Sequence, residues 1–397
     1  MGQSIEHDAA DLRVKLVRSL RAQGFRVRNG AVLPPKNLSK ERIRELHKTA
    51  VAHRIARARE SLFHVEKDLL RHIASGHEVV PSRISPRLVE VLPDSEEELL
   101  FRYACLHWSI PLSSGYGRRL RFLVVDEYNG KLIGLIGLGD PVFSLGPRDQ
   151  WIGWTPTDRS KRLGNVMDAF VLGAVPPYSF LLCGKLVAML AASDTVRRAF
   201  KRKYGGTRSV IRRKVHDGRL ALITTTSALG RSSIYNRLRL GDRLLYQSVG
   251  FTRGSGEFHF SNGLYAAITE FAEKNCQPTA KQERWGTGFR NRREVIRKTL
   301  SALGLSSDWI YHGIKREVFV VPLARNTREF LRGEHTRLFW YHQSEAEIFE
   351  YFRNRWLLPR ASWDHRFMSW CRHEWAIWVK NPFPDAKEIG GATWSEE

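Results

Sequence analysis

The sequence has little of what builds disulfide frameworks, metal centres or membrane spans. Its 397 residues include four cysteines, none of them in a Cys-x-x-Cys pair, and its 14 histidines never occur as His-x-His or His-x-x-His. This argues against a disulfide framework or a zinc ribbon, predicts no metal site, and favours a reducing cytoplasm. The longest apolar stretch, residues 169–184, contains Pro176-Pro177 and is too short to span a bilayer, so we expect no membrane partner.

Acidic residues are scarce in the middle of the chain, and this scarcity determines where the net charge lies. Residues 101–300 contain 33 Lys and Arg against 14 Asp and Glu, a net charge of +19 within a total of +23. Cations at this density repel one another unless a polyanion neutralises them, which predicts nucleic acid, and DNA in particular, as the partner. The predicted contacts are clustered basic residues: Arg118, Arg119, Arg197, Arg198, Arg202, Lys203, Arg212, Arg213 and Lys214. A solvated basic surface is the structural alternative.

The first 95 residues are predicted to be mainly helical. Apolar residues run from Leu12 to Leu20 before Gly24, which is a plausible helix end. In residues 40–73 apolar positions recur at steps of three and four, which is typical of an amphipathic helix or a helical hairpin. Three prolines between residues 76 and 95 predict a linker.

Beyond residue 95 the pattern alternates between strands and helices. Asn129-Gly130 between two short apolar runs predicts a β-hairpin. The predicted strands are 120–125, 131–138, 166–171, 220–225 and 244–251, and the predicted helices are 181–192 and 232–240. The sequence therefore predicts an α/β (α+β) fold with a mixed sheet.

We predict three segments along the chain. They are a helical N-terminal region at 1–95, a basic α/β domain at 96–275, and a basic linker with a Trp-rich region at 276–397. Seven of the twelve tryptophans lie between Trp340 and Trp394. Their irregular spacing favours a small aromatic core over a base-stacking platform.

Four short segments combine hydroxyls, glycines and cations in ways that suit a binding pocket. Residues 113–119 and 224–237 offer hydroxyls and arginines beside strands, where backbone N–H groups and guanidinium forks can hold phosphate. Residues 148–154 place an Arg-Asp pair beside two tryptophans, and residues 176–185 bring Gly-Lys to a helix start. The candidate pocket residues are Ser114, Gly117, Arg148, Asp149, Trp154, Tyr178, Gly184, Lys185, Thr225, Ser227, Ser232, Tyr235 and Asn236. Turns, a buried ion pair and helix caps are the structural alternatives, and neither a catalytic residue nor a cofactor is identified.

Taken together and in order, these segments resemble the DruA-like family, named for a component of the Druantia anti-phage defence system. The landmarks are residues 115–123 (GYGRRLRFL), 148–154, 176–185 and 224–236, within a resemblance that spans residues 33–262. It implies a cytoplasmic protein of phage defence or mobile-element biology that acts with other defence proteins. The element order also resembles the acetyltransferase fold of the GNAT superfamily, although Leu182-Cys183-Gly184-Lys185 stands where that superfamily has its acyl-CoA loop.

Charge and resemblance together favour a nucleic-acid-binding component of an anti-phage defence system. A GNAT-like or nuclease-type enzyme that modifies or cuts phage nucleic acid is one alternative, and an accessory protein of a transposon is another. A structural adaptor whose basic face meets an acidic protein partner is a further interpretation of the same charge.

Overall fold

Strands and helices alternate along most of the chain, and the predicted α/β class is confirmed. The computed structural model describes residues 2–112, 117–208, 215–260, 263–279, 285 and 289–379. Its strands are β1 (Arg26–Arg28), β2 (Ala31–Leu33), β3 (Pro86–Glu90), β4 (Arg119–Asp126), β5 (Lys131–Gly139), β6 (Val166–Ala174), β7 (Leu222–Thr226), β8 (Arg239–Leu240), β9 (Arg243–Leu244), β10 (Gln247–Phe251) and β11 (Glu317–Pro322). Its helices are α1 (Gly2–Ala22), α2 (Lys40–Leu62), α3 (Glu66–Leu70), α4 (Glu96–Cys105), α5 (Gly146–Ile152), α6 (Pro156–Arg162), α7 (Cys183–Leu190), α8 (Asp194–Tyr204), α9 (Leu264–Asn275), α10 (Phe289–Ala302), α11 (Thr327–Arg332), α12 (Glu345–Phe352) and α13 (Leu358–Ala361).

A mixed sheet of seven strands lies at the centre, in the order β10-β11-β7-β6-β5-β4-β3. Strands β6 and β7 pair in parallel over Val166–Asp168, whereas the other neighbours in this sheet are antiparallel. The predicted hairpin is confirmed as β4–β5, with Asp126 opposite Lys131. Gly130 has a φ of +70° in its turn, a conformation that glycine adopts without steric cost.

Alternating side chains of the central strands enter two different cores. Phe122 and Ile136 point to the face that α7 and α8 cover, where Leu186 is also buried. Leu123 on the same strand as Phe122 points to the opposite face, which α3 and α4 cover. This period of two is the expected consequence of the pleat and explains why both faces of these strands are apolar.

The predicted helices of the N-terminal region are confirmed. Helix α1 ends at Ala22, and Gly24 follows with a φ of +86°. Helix α2 begins after Ser39, whose Oγ accepts a hydrogen bond from the backbone N–H of Arg42. A small core joins α1 to the later helices α9 and α10, so this region packs against chain that lies far away in sequence.

Three histidines are buried where α2 meets the segments that precede α9 and β11. His259 Nε2 lies 2.8 Å from the carbonyl oxygen of Trp309, and His47 Nε2 lies 3.3 Å from an Arg316 nitrogen. Burial lowers the pKa of His47 and of His259 to about 4. Burial, reinforced by neighbouring positive charge, lowers the pKa of His312 to about 3. The cluster is therefore neutral in the folded protein near pH 7.

The predicted helix at 232–240 is wrong. This segment is an irregular loop that ends in the two-residue strand β8. The Ser232 hydroxyl accepts hydrogen bonds from the backbone N–H groups of Ile234 and Tyr235, and Arg237 has a φ of +62°. A side chain that caps local N–H groups and a left-handed residue both oppose a continuous helix.

The predicted linker at 76–95 contains strand β3, which forms one edge of the central sheet. Glu345 on α12 accepts a hydrogen bond from the backbone N–H of Leu88 at 3.2 Å, so a helix covers this edge. The sheet thus draws β3 from the predicted region 1–95 and β11 from the predicted region 276–397. The division into three segments stays a prediction.

Candidate nucleic-acid interface

Helix α8 is an amphipathic helix whose outward face is cationic. Ser193 caps its N-terminus, and basic residues occupy its last turn, where they complement the helix dipole. Val196, Ala199 and Phe200 are buried in the core on the α7 side of the sheet. The opposite face exposes Arg198, Lys201 and Arg202 to solvent, so the local sequence separates an apolar stripe from a charged one.

The cations of α8 differ in how far the protein neutralises them. Arg202 makes an ion pair with Glu90 on β3 and keeps 67% of its side chain exposed, while Lys203 Nζ lies 3.8 Å from the same carboxylate. Arg198 donates to the Thr195 hydroxyl at 3.1 Å. Within the described ranges, Arg198 and Lys201 make no ion pair with a carboxylate. Their charge is therefore available to an external anion.

Arg197 connects α8 to residues 336–343, which begin with a bend and pair with another segment at 339–341; we call them the 336–343 ribbon. Its guanidinium lies 4.3 Å from the ring centre of Trp340 and donates to Asp194 at 2.8 Å. The guanidinium of Arg243 lies 3.9 Å from the ring centre of Tyr341, the next residue of the ribbon. Two successive aromatic rings are thus each stacked by an arginine from a different element.

The 336–343 ribbon is held by backbone pairing to the chain that follows β11. Ala324 and Trp340 form an antiparallel bridge. The N–H of Arg325 donates to the carbonyl oxygen of Phe339 at 2.8 Å, and the N–H of Tyr341 donates to that of Leu323 at 3.0 Å. Sequence reasoning assigned the Trp-rich region to a core and did not single out this surface, although the run Phe339-Trp340-Tyr341 marks it.

Arg118, a predicted nucleic-acid contact, directs its donors into the protein. Its Nε donates to Asp140 at 2.7 Å, and two further nitrogens donate to the carbonyl oxygens of Gly164 and Val166 at 2.5 and 3.2 Å. Arg119 is half-buried over the ring of Phe170 at 4.6 Å, and burial lowers its pKa. The Arg118 guanidinium thus serves to join the start of β4 to the start of β6.

Gly117 shows why this strand entry needs a glycine. Its φ is +89°, and a Cβ built on it would lie 2.1 Å from a carboxylate oxygen of Asp140. Ser114 lies outside the described residues. So do Arg212, Arg213 and Lys214, whose role as nucleic-acid contacts stays a prediction.

Arg148 and Asp149 form a buried ion pair in the first turns of α5. Arg148 Nε donates to Asp149 at 2.8 Å, and its other nitrogens donate to the carbonyl oxygens of Val142 and Phe143. Arg159 lies 3.0 Å from the second oxygen of Asp149.

Trp154 is also buried, and its indole N–H donates to the Leu331 carbonyl oxygen at 2.7 Å. These three predicted pocket residues hold α5 in place.

A second group of predicted pocket residues meets beside the parallel strands. Thr225 Oγ1 donates to the carbonyl oxygen of Ala169 at 2.9 Å, close to the point where β6 and β7 stop pairing. Tyr235 stacks on Tyr246 with ring centres 4.8 Å apart and meets Phe319 of β11 edge-on. Burial raises the pKa of Tyr235 to about 12. The two tyrosines fill the space between α7 and strands β7 and β11.

The hydroxyl-rich loop after β7 is anchored by Glu317, a buried carboxylate at the start of β11. Its side chain accepts from the N–H of Ser232 at 3.3 Å and from the Ser248 hydroxyl at 2.8 Å, and its carbonyl oxygen accepts from the N–H of Ser227. Asn236 is exposed nearby in the chain. Sequence reasoning missed Glu317 because its partners lie 69 and 85 residues away.

The start of α7 lies beside the same loop. A Cβ built on Gly184 would lie 3.6 Å from Ile234 Cδ1, an ordinary van der Waals distance, so the loop lies against the start of this helix. Lys185 Nζ lies 5.4 Å from the ring centre of Trp356, and burial lowers its pKa. Gly184 thus lies beside Ile234, next to Tyr235 of the core on this side of the sheet. Trp154, with the Arg148 guanidinium 5.6 Å from its ring centre, belongs to a different core.

Asp168, which sequence reasoning did not single out, lies where the parallel pairing of β6 and β7 ends, on the face of the sheet opposite α7. It accepts a hydrogen bond from Thr224 Oγ1 at 2.7 Å. Burial raises its pKa, and the charges of Arg148 and Arg119 oppose that rise. A polar residue in the middle of an apolar strand was the signal that could have identified it.

Tyr178 closes the β4–β5 hairpin from inside the protein. Its hydroxyl donates to Asp126 at 2.8 Å, and the Asn129 amide donates to it at 2.9 Å. We expect Tyr178→Phe to lower the free energy of unfolding by about 1–3 kcal/mol, because the buried carboxylate loses a donor. Chemical denaturation measures this. Tyr128→Phe, which removes an exposed hydroxyl from the same hairpin, should change stability by less than about 0.5 kcal/mol, and equal losses would contradict the assignment.

Two further properties of the described residues bear on the site. No group of three or more His, Cys, Asp or Glu side chains in those ranges is arranged to hold a metal ion. Likewise, none of the helices described there has the length and apolar character needed to cross a membrane.

Comparison with known proteins extends the resemblance beyond the landmark segments. The family model described as "DruA: Druantia protein DruA" matches residues 37–333. A protein of Escherichia coli (strain UMEA 4076-1), described as Druantia protein DruA, is 41% identical over 385 residues, which are 96% of this chain and 95% of that protein. No solved structure matches the chain. The GNAT-like order therefore stays a prediction.

Proposed function

Since the chain belongs to the DruA family, we propose that it is a nucleic-acid-binding component of a Druantia anti-phage defence system. Membership in a multi-component defence system implies other defence proteins as partners. The proposal adds a molecular role to that setting. It assigns the +19 charge of residues 101–300 to contact with phosphate groups of nucleic acid.

The observation that carries the proposal is the outward face of α8. Arg198 and Lys201 are exposed there without an ion pair to a described carboxylate, and Arg202 is held by Glu90 while remaining largely exposed. Unneutralised cations along one helix face gain free energy when phosphates replace their counterions. Arg197 is already committed to Asp194 and Trp340 and would position the 336–343 ribbon beside this face.

Not every predicted contact belongs to this proposed interface. Arg118 is omitted because its donors are engaged inside the protein. Lys203 is retained at the margin, since Glu90 lies 3.8 Å away and two-thirds of its side chain is covered. Arg212, Arg213 and Lys214 follow α8 in sequence and stay predicted contacts.

Salt-dependent binding tests the proposal. We expect the full chain to bind labelled DNA or RNA at about 50–100 mM salt, near physiological ionic strength. The double variant Arg198→Glu, Lys201→Glu should weaken binding, and the slope of log affinity against log salt should fall by about 2, because two phosphate contacts are lost. Fluorescence anisotropy in a salt series measures both quantities.

The matched control is Lys67→Glu on α3 with Arg71→Glu at the residue that follows it, the same charge change at exposed positions. This pair lies in the first hundred residues, whose net charge is close to neutral. It should leave the salt slope unchanged. The proposal fails if wild-type protein binds neither DNA nor RNA in this salt range, or if the control weakens binding as much as the α8 variant does.

A GNAT-like or nuclease-type enzyme is the second candidate. It draws support from the parallel pair β6–β7, which is joined over three residues within an otherwise antiparallel sheet. Tyr235 and Tyr246 fill the space beside these strands, which weighs against an acyl donor bound there. Mass spectrometry of DNA incubated with the protein and candidate donors would reveal a modification, and a supercoiled plasmid would reveal nicking. Silence in both assays removes this candidate.

A further inference from the structure

Among the described residues, no Lys or Arg is stacked on the ring of Phe339 in the 336–343 ribbon, and His335 meets that ring edge-on with ring centres 6.5 Å apart. The side chain of Phe339 is 56% exposed, whereas Trp340 and Tyr341 are each covered in part by an arginine. Because alternate side chains of an extended segment point the same way, Phe339 and Tyr341 share a face of the ribbon. Arg325 lies directly opposite Phe339 across the antiparallel bridge and belongs to the same face.

Cations flank this ring. Arg325 and Arg337 are both exposed, and neither makes an ion pair with a carboxylate of the described part of the chain. The Phe339 backbone is fixed on both sides, since its N–H donates to Asn326 Oδ1 at 2.9 Å and its carbonyl oxygen accepts from Arg325. The Phe339 ring therefore projects from a backbone that is held in place. Arg337 lies two residues before it in sequence, and Arg325 lies across from it on the paired segment.

The chemistry of this face fits an unpaired nucleobase better than a duplex. A base stacks on an aromatic ring through its π-face, and the phosphates on either side can reach the arginines. In a duplex the π-face is covered by neighbouring base pairs, so an exposed ring gains little from it. We propose that the face formed by Arg325, Arg337, Phe339 and Tyr341 binds single-stranded nucleic acid by stacking one base on Phe339. The inference rests on the proposed function.

Binding of matched oligonucleotides to the full chain tests the inference. One labelled strand is used as single-stranded DNA, as single-stranded RNA and as a DNA duplex, in fluorescence anisotropy. Phe339→Ala should weaken single-strand binding by about fivefold to a hundredfold, the loss of one stacked base, and leave duplex binding unchanged. Phe339→Trp should retain single-strand binding because it restores a stacking surface.

The matched control is Phe143→Ala, which removes another exposed phenylalanine, located before α5. It should not affect single-strand binding. If Phe339→Ala binds single strands as tightly as the wild type while the α8 variant has lost affinity, the inference is overturned and the proposed function stands. An equal loss for single strands and duplex also overturns it. If the wild type binds no nucleic acid but does bind polyglutamate, which stands for an acidic protein partner, both proposals fall.

Discussion

Asp149→Asn is expected to lower the free energy of unfolding by about 3–5 kcal/mol, because it removes the only carboxylate among the described residues that makes an ion pair with the buried Arg148 guanidinium. The Arg148 side chain is fully buried, and its nitrogens approach Asp149 at 2.7 and 2.8 Å. The carbonyl oxygens of Val142 and Phe143 supply hydrogen bonds but no net charge. Chemical denaturation of the purified protein measures the change as a shift in midpoint.

Arg148→Met should cost less than Asp149→Asn, since Arg159 remains 3.0 Å from the Asp149 carboxylate and still neutralises it. The matched control is Glu270→Gln, which makes the same carboxylate-to-amide change in the exposed pair with Lys274. This pair is exposed and screened by solvent, so the change should have little effect on stability. If Asp149→Asn behaved like Glu270→Gln, Arg148 would be reached by water in solution and the buried-pair assignment would be wrong.

Acidification from pH 6.5 towards pH 4 is expected to cost several kcal/mol of stability. The pKa values of His47 and His259 are about 4, and that of His312 is about 3, each lowered first of all by burial. An unfolded histidine titrates near 6.5, so the unfolded chain binds these protons first as the pH falls. The free energy of unfolding is therefore undiminished above pH 6.5. As the pH falls below 6.5, each histidine lowers it by up to about 1.4 kcal/mol per pH unit.

One nearby carboxylate opposes this loss. Burial raises the pKa of Glu257, so its protonation favours the folded state, but it is a single group against three imidazoles. Urea denaturation at several pH values between 7 and 4.5 measures the slope. His47→Gln should reduce the slope by one proton, because it removes one of the three buried imidazoles. Stability that stays constant across this range would show that the histidines are already protonated or hydrated.

The Arg148–Asp149 ion pair and the buried histidines lie outside the proposed interface. Effects of the binding variants can therefore be distinguished from effects on folding. Arg198, Lys201 and Phe339 are exposed, so their replacement removes charge or aromatic surface without opening a core. Asp149 and the buried histidines affect folding, and a loss of binding in those variants would report unfolding. Comparing the two sets distinguishes a contact residue from a supporting one.

Local patterns predicted the elements whose determinants are local. The Asn-Gly turn and the alternating apolar runs specified the β4–β5 hairpin, and Ser39 marked the start of α2. Local patterns predicted the segment 232–240 wrongly, because burial of Tyr235 against Tyr246 and Phe319 outweighs its helical pattern. Both rings come from chain that follows the segment, so a short window of sequence could not include them all.

The sequence by itself determined the class of fold, the family and the excess of positive charge at 101–300, since composition and local period are properties of the chain alone. It could not determine which cations are free. Arg118 is neutralised by Asp140, 22 residues away, and Arg202 is held by Glu90, 112 residues away, while Arg198 has neither kind of partner among the described residues. The 336–343 ribbon likewise becomes a surface through its pairing with residues 323–325 and its contact with α8. Ion pairing and exposure depend on distances of a few ångströms between residues remote in sequence, and tertiary structure alone sets those distances.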